Sequence, residues 1–448
     1  MSKKILALLI VALMAISLVT GCAQPAAPAA EVDPTPAKET APAANTDEKA
    51  PVTLQVSIVE TDWLDAWEDG MKPAFEAEYP WIMLEAVSLG EEKRDYHQTH
   101  AAANDLPPVI QTDVGGIYYD LVDEGILLDV SGYEVAANIP QSYKDAYTYN
   151  GVLFGLTQGA AFDALFLNMS ILAEAGWTTA PTNWEEFIQC CKDITEKTGK
   201  AAVTVAGAKN TTMWMPFESI VLNVIGDQLG AGVYEEQIRN GSLDLTAYPE
   251  IAARLDQLAP YMMTGSSQNS EDDVTAIMTD GTCAMAIAGN WTASNICSGI
   301  TTASGDETAA LIIAPPFNDA GKTCWLSATP ESAFGVSKVE DPNLAEARDI
   351  FYEWLFKPEN FKWIQNARGT LPVLTNMTAD QVVLPDAVAA FSEATKNATT
   401  FAMSFNNVTE TVNIDVQTAL ADLFSGNAAG ADTVAKIQSL YAADPWTK

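Results

Sequence analysis

Three apolar stretches between residues 52 and 111 constrain the fold most. Val52, Leu54, Val56 and Ile58 alternate with polar residues, the period of a strand with one buried face. Asp62 then stands as a helix N-cap, and Leu64, Trp67, Met71 and Phe75 follow at helical spacing, with a kink expected at Pro73. A second strand is predicted near residues 82–87. After another helical stretch, Pro107-Pro108-Val109-Ile110-Gln111 supplies a third. The order β-α-β-α-β begins an open α/β sheet, and such sheets bind ligands beyond the carboxyl ends of their strands. Those ends fall at residues 60–63, 88–92 and 113–118.

The first fifty residues stand apart from this pattern. Lys3 and Lys4 precede an apolar run over residues 5–17, too short for a span of ~20 residues but suited to an export signal. The run closes on Leu18-Val19-Thr20-Gly21-Cys22, which resembles the lipobox of bacterial lipoproteins. The resemblance implies removal of residues 1–21 and acylation of Cys22 through diacylglycerol. Two or three acyl chains (palmitate-like) on one residue anchor a protein stably, whereas a single chain does not. Residues 23–50 are mostly Ala, Pro, Thr, Glu, Asp and Lys, with no aromatic. Such a segment cannot bury enough apolar surface to fold, so residues 22–50 read as a lipidated Cys followed by a disordered tether.

Residues 51–448 exceed one ordinary core, so two lobes are expected. The chain carries a net charge of −36, which excludes nucleic acid as a partner, because that binding rests on Lys and Arg neutralising phosphates. A neutral or cationic ligand fits the charge more easily than an anionic one. Cys22 aside, Cys190, Cys191, Cys283, Cys297 and Cys324 remain, an odd number that is not a disulfide framework. A bridge among Cys283, Cys297 and Cys324 stays open. Pro181-Thr182-Asn183-Trp184-Glu185 reads as a capping box at Thr182, and Asp341-Pro342 begins a further helix with Leu344, Ala347, Phe351, Trp354 and Leu355 on one face. His97 and His100 are assigned to a solvated helix face, and no metal or cofactor motif is present.

Four segments, in order, carry a family resemblance. They are Phe75-Glu76-Ala77-Glu78-Tyr79-Pro80; Asn150-Gly151-Val152-Leu153-Phe154-Gly155 with Ala164-Leu165-Phe166-Leu167-Asn168 and the Trp184 helix start; Gly281-Thr282-Cys283-Ala284-Met285 through Gly289-Asn290-Trp291; and Gly369-Thr370-Leu371-Pro372-Val373. Together they resemble the sugar-binding group of the extracellular solute-binding proteins of ABC importers. The resemblance implies a two-lobed α/β periplasmic-binding-protein-like fold (type II), with hinge strands and a ligand cleft between the lobes. It implies a first lobe of residues 51–162 plus 313–345 and a second of 163–312 plus 346–448, the chain crossing near residues 159–163 and 311–315. One departure stands out: many members carry Gly-Gly where this chain reads Ala328-Thr329-Pro330-Glu331.

A sugar presents an apolar C–H face and a rim of hydroxyls, so its site combines flat aromatics with Asp, Asn or Arg. The ligand-binding candidates are Trp291, Trp63, Asp113, Trp214, Asp62, Asn290, Phe162, Asp163, Trp325 and Arg368. Trp291 and Asn290 end a strand where the family places a stacking aromatic, and Trp214 resembles an aromatic-Pro segment that lines the maltose-binding protein's cleft. Trp63, Asp62 and Asp113 stand at strand carboxyl edges, Phe162 and Asp163 at the first crossing. Trp325 precedes the altered Gly-Gly region and Arg368 the last motif.

The expected protein is a monomeric, non-enzymatic capture lipoprotein. It would deliver a mono- or oligosaccharide to the transmembrane subunits of an ABC permease, from the outer face of the cytoplasmic membrane of a Gram-positive cell. The alternatives are a binding protein for another solute, a polyamine or peptide, and a surface glycosidase. The last lacks a carboxylate pair at defined spacing in the inferred cleft.

Overall fold

A computed structural model describes residues 49–446 except 59–62, 90–92, 209–210, 369–372, 379–380, 382–383, 385 and 396–397. The expected leader, Cys22 and the tether up to residue 48 lie outside the described residues, as do Asp62 and the side chain of Arg368. Among the described residues, no helix is long and apolar enough to cross a membrane.

Thirteen strands are described: β1 (Val52–Ile58), β2 (Ile82–Ser88), β3 (Val109–Thr112), β4 (Thr148–Tyr149), β5 (Val152–Leu153), β6 (Leu156–Thr157), β7 (Ala160–Asn168), β8 (Ala201–Thr204), β9 (Cys283–Gly289), β10 (Ala310–Ile313), β11 (Trp325–Pro330), β12 (Ala333–Val336) and β13 (Thr399–Phe401). One sheet has the order β2-β1-β3-β12-β6; a second runs β13-β11-β7-β9-β8, with β10 also on β7. In the first, β1 lies parallel to β2 and β3, as the alternating pattern requires, and Leu54, Val56 and Ile58 are buried. β7 and β9 are buried along almost their whole length, and most of their residues are apolar, as central strands covered on both faces must be.

The chain passes between the sheets at Gln158–Gly159 and again at Glu331–Ser332, and these two segments pair with each other. Glu331 N donates to Gly159 O at 3.0 Å, and Gln158 N donates to Ser332 O at 3.1 Å. Pro330 pairs with Ala160 on one side and Ala333 with Thr157 on the other. The result is one antiparallel ribbon rooted in both sheets.

The second crossing is therefore not at residues 311–315. β10 pairs antiparallel with β7, Ala310 against Asn168, and so stays in the second sheet. The lobe limits shift with it. Phe351, Tyr352, Trp354, Phe361, Ile364 and Leu374 pack in the same cluster as Leu54 and Val56, so the stretch from 346 to 374 belongs with the first sheet, whereas Val388, Phe391, Phe401, Val412 and Tyr441 pack with the second, which includes β13. Phe351 meets Trp67 and Phe75 edge-on at 6.0 and 5.3 Å, which holds the helix Pro342–Leu355 there.

Local corrections have simple causes. The N-cap of the helix Trp184–Thr198 is Asn183, whose side chain accepts from Glu186 N; Thr182 instead donates its N–H and hydroxyl to Glu186 Oε2. Before Pro73 the chain forms a π-turn over Trp67–Met71. His97 is buried, its Nε2 2.7 Å from Ser57 Oγ and its Nδ1 3.2 Å from Tyr118 Oη. The five described cysteines are free.

Candidate functional site

The paired crossing strands gather polar and aromatic groups from both sheets. On the first sheet, Asp113 follows β3. Its carboxylate accepts from Lys93 Nζ at 2.8 Å and from Ser332 Oγ at 3.1 Å, and Arg94 lies 3.8 Å away. Burial alone would push this carboxyl up, but Lys93 and Arg94 beside it hold it below the usual range. Asp113 is an ionised acceptor on the first sheet, tied directly to the crossing at Ser332.

On the second sheet, Asn290 follows β9. Its Oδ1 accepts from Phe162 N at 2.7 Å and its Nδ2 donates to Ala160 O at 2.9 Å. The buried amide is committed to backbone, so Asn290 clamps the start of β7 rather than offering its side chain to a ligand. Trp291, half-buried, lies against Gly289: a Cβ built there would come within 2.2 Å of the indole. Its Nε1 donates to Glu271 Oε1 at 3.0 Å, which fixes the ring plane. Gly289 pairs with Asp163 and Phe162 is half-buried beside it, so Trp291 and Phe162 occupy the same end of the second sheet.

Four expected ligand residues are placed elsewhere. Trp63 is fully buried, meeting Trp67 and Phe334 edge-on at 6.1 Å each. Trp214 is fully buried, its Nε1 donating to Asn413 Oδ1 at 2.8 Å and its ring near Phe217 and Tyr441. Both indoles are consumed by core packing. Trp325 starts β11, whereas the crossing follows its last residue, Pro330, so Trp325 lies ~17 Å away at ~3.3 Å per residue. Its ring covers Gly226, and its Nε1 donates to Asp227 Oδ1 at 2.8 Å. Asp163 is fully buried, since β7 turns its side chain toward Ser219 on the helix Trp214–Leu229.

Other residues of the crossing were not foreseen. Gln111 Nε2 donates to Gln158 Oε1 at 3.1 Å, and Gln365 Nε2 donates to Gln158 O at 2.7 Å. Glu331 O accepts from Tyr147 Oη at 2.6 Å and from Thr157 Oγ1 at 2.8 Å. Where relatives carry Gly-Gly, this chain has residues paired with β7, followed by a Glu331 side chain packed on Gly159. Polar residues at the joints between strand patterns were the available signal.

Among the described residues, no group of three or more His, Cys, Asp or Glu could hold a metal ion. A cavity of about 690 Å³ opens between Tyr79, Tyr133, Glu346, Asp349, Trp354 and Lys357, and none of the crossing-strand residues lines it.

Residues 74–390 match the family described as bacterial extracellular solute-binding protein. A search of curated protein sequences finds no match. Solved structures do match in fold. A chitin oligosaccharide binding protein has a TM-score of 0.73 at 17% identity, covering 88% of this chain and 99% of its own. RafE in complex with raffinose (RafE is from Streptococcus pneumoniae) has a TM-score of 0.72 at 17% identity, covering 88% and 99%. The GacH receptor of Streptomyces glaucescens, solved unliganded and with acarbose, has a TM-score of 0.72 at 18% identity, covering 88% and 98%.

Proposed function

Because the chain belongs to the bacterial extracellular solute-binding proteins, we propose that it captures a mono- or oligosaccharide at the crossing between its two sheets. One observation carries this reading. A half-buried indole, Trp291, follows β9 beside the start of β7, and an ionised acceptor, Asp113, follows β3 and is bonded to Ser332 of the second crossing. A flat aromatic suits the C–H face of a sugar, and a carboxylate accepts from its hydroxyls. The fold relatives named for chitin oligosaccharide, raffinose and acarbose support the same class.

The proposed contacts are Trp291, Phe162 and Asp113, with Lys93 and Ser332 holding the carboxylate in place. Asp62, after β1, and Arg368 complete the set. Arg368 ends the helix whose Gln365 bonds the first crossing. The paired crossing segments, with a third passage between Leu374 and Val388, let the sheets swing, and a ligand touching both favours the closed arrangement. Trp291→Ala should lower sugar affinity about a hundredfold while the far-ultraviolet circular dichroism stays unchanged; full retained affinity would remove Trp291 from the site.

The remaining parts of the reading follow from residues 1–50. Cys22 would carry the lipid, residues 23–50 the tether, and the transmembrane subunits of an ABC permease would receive the sugar. The tether's reach, on the order of 80 Å at ~3.1 Å per residue, would let the sheets search for ligand and still meet the permease.

A further inference from the structure

β2 is an edge strand: it pairs with β1 and, among the described residues, with no other strand. A sheet edge presents backbone N–H and C=O groups that a further strand can take up. β2 is suited to such pairing. Over Ile82-Met83-Leu84-Glu85-Ala86-Val87 it is mostly apolar with a single charge, and Met83 is 57% exposed.

In a parallel pair, alternate residues turn both backbone groups to the same neighbour. Trp81 O accepts from Val52 N, and Leu89 N donates to Ile58 O. Odd-numbered residues of this stretch therefore face β1, and even-numbered ones face outward. Among the outward groups, Ile82 N donates to Tyr79 O at 2.9 Å. Leu84 is met on both sides by side chains. Its N–H donates to Glu76 Oε1 at 2.8 Å, and its carbonyl accepts from Lys72 Nζ. Lys72 Nζ is also 2.6 Å from the same Glu76 oxygen. Both side chains leave one turn of the helix Lys72–Glu78, with 27% and 29% of their surface exposed.

Helix stability does not account for this arrangement. Lys before Glu is the less favourable order for an i,i+4 pair, and such pairs contribute little. The specific feature is that the carboxylate takes the N–H and the ammonium takes the C=O. Together they give Leu84 the acceptor and the donor that a neighbouring strand would supply.

We propose that Lys72 and Glu76 form a side-chain plug on the β2 edge, which keeps the first sheet closed to strand addition by a second copy of this chain.

Two β2 edges meeting about a two-fold axis would pair antiparallel, each offering the same residues to the other. Leu84 stands near mid-strand, so occupying its N–H and C=O interrupts that ladder close to its centre. Copies held on one membrane, as proposed through Cys22, would meet at high effective concentration, where an open edge matters most. The plug itself is independent of sugar capture.

Hydrogen exchange at the Leu84 amide, followed by nuclear magnetic resonance, reads the plug directly. The amides of Leu54 and Val56 in β1 report any general loosening. Wild type should protect Leu84; exchange there at the rate of an unstructured peptide would overturn the proposal without any variant. Glu76→Ala should raise Leu84 exchange by about 10- to 100-fold and leave Leu54 and Val56 within about twofold. Glu76→Gln removes the ion pair but keeps an oxygen for the N–H, so it should retain most of the protection. A Gln variant as unprotected as the Ala variant would assign the effect to the ion pair and reject the plug. Lys72→Ala combined with Glu76→Ala strips both caps while keeping a good helix former at each position. In sedimentation velocity this protein should associate as its concentration rises, whereas wild type stays one species. Adding Met83→Lys should restore the single species, because a charge on an edge strand opposes pairing. A stripped protein that stays monomeric with Leu84 unprotected would overturn the proposal.

Discussion

The indole of Trp291 lies on Gly289 so closely that a methyl group there would come within 2.2 Å of it. Gly289 has φ −75°, which any residue adopts, so the glycine serves this contact and not a backbone turn. Gly289→Ala should thus displace the ring while leaving β9 intact. Sugar affinity is expected to drop at least ~10-fold with only a modest fall in melting temperature, because overpacking here costs about 1–3 kcal/mol. Calorimetric titration beside a thermal melt separates the two; an unchanged affinity would show that the ring's position is irrelevant to binding.

Asn290 makes a different prediction because its amide serves the backbone. Asn290→Ala frees the Phe162 amide and the Ala160 carbonyl inside the protein. Leaving such groups unpaired costs about 1–3 kcal/mol, so chemical denaturation should show a loss of that order. A variant as stable as the parent would mean that the clamp contributes nothing.

His97 sets a low-pH dependence. Burial, with Lys93 nearby, lowers it to about 4, below its unfolded value of ~6.5. The neutral ring's contribution is complete above ~pH 6.5 and is lost as pH falls toward 4, amounting to about 2 kcal/mol by pH 5. Following the His97 ring by nuclear magnetic resonance checks this directly; titration near the ordinary histidine value would refute the buried assignment.

The anchor is tested in cells. Cys22→Ala should shift the protein from the cell fraction to the medium, as followed by immunoblot. Retention of the variant on cells would reject the lipid on Cys22.

These residues also show what a linear reading can reach. Alternation located β1, and the Pro-Pro-Val-Ile run located β3, because side-chain period follows directly from backbone geometry. The second crossing escaped it. Residues 310–313 and 325–330 are both strands, and only their shared pairing with β7 shows that the chain leaves the second sheet after the later one. A candidate contact was legible where a ring follows a strand end and stays partly exposed, as at Trp291. It was not legible at Trp63 and Trp214, since an aromatic at a strand edge or helix start looks the same whether it faces a cleft or the core. Phe162 and Asp163 are neighbours on β7 with opposite faces, and choosing between them requires knowing that the helix Trp214–Leu229 covers the Asp163 side. His97 reads as polar surface until Ser57 and Tyr118 are brought to it by folding.

The central claim is capture of a sugar at the paired crossing strands. Calorimetric titration of the protein against a panel of mono- and oligosaccharides, with polyamines and short peptides beside them, tests it most directly. The account predicts saturable binding of at least one sugar at micromolar affinity or tighter, on the order of −8 kcal/mol. Tight binding of a polyamine or peptide with no heat from any sugar would contradict it.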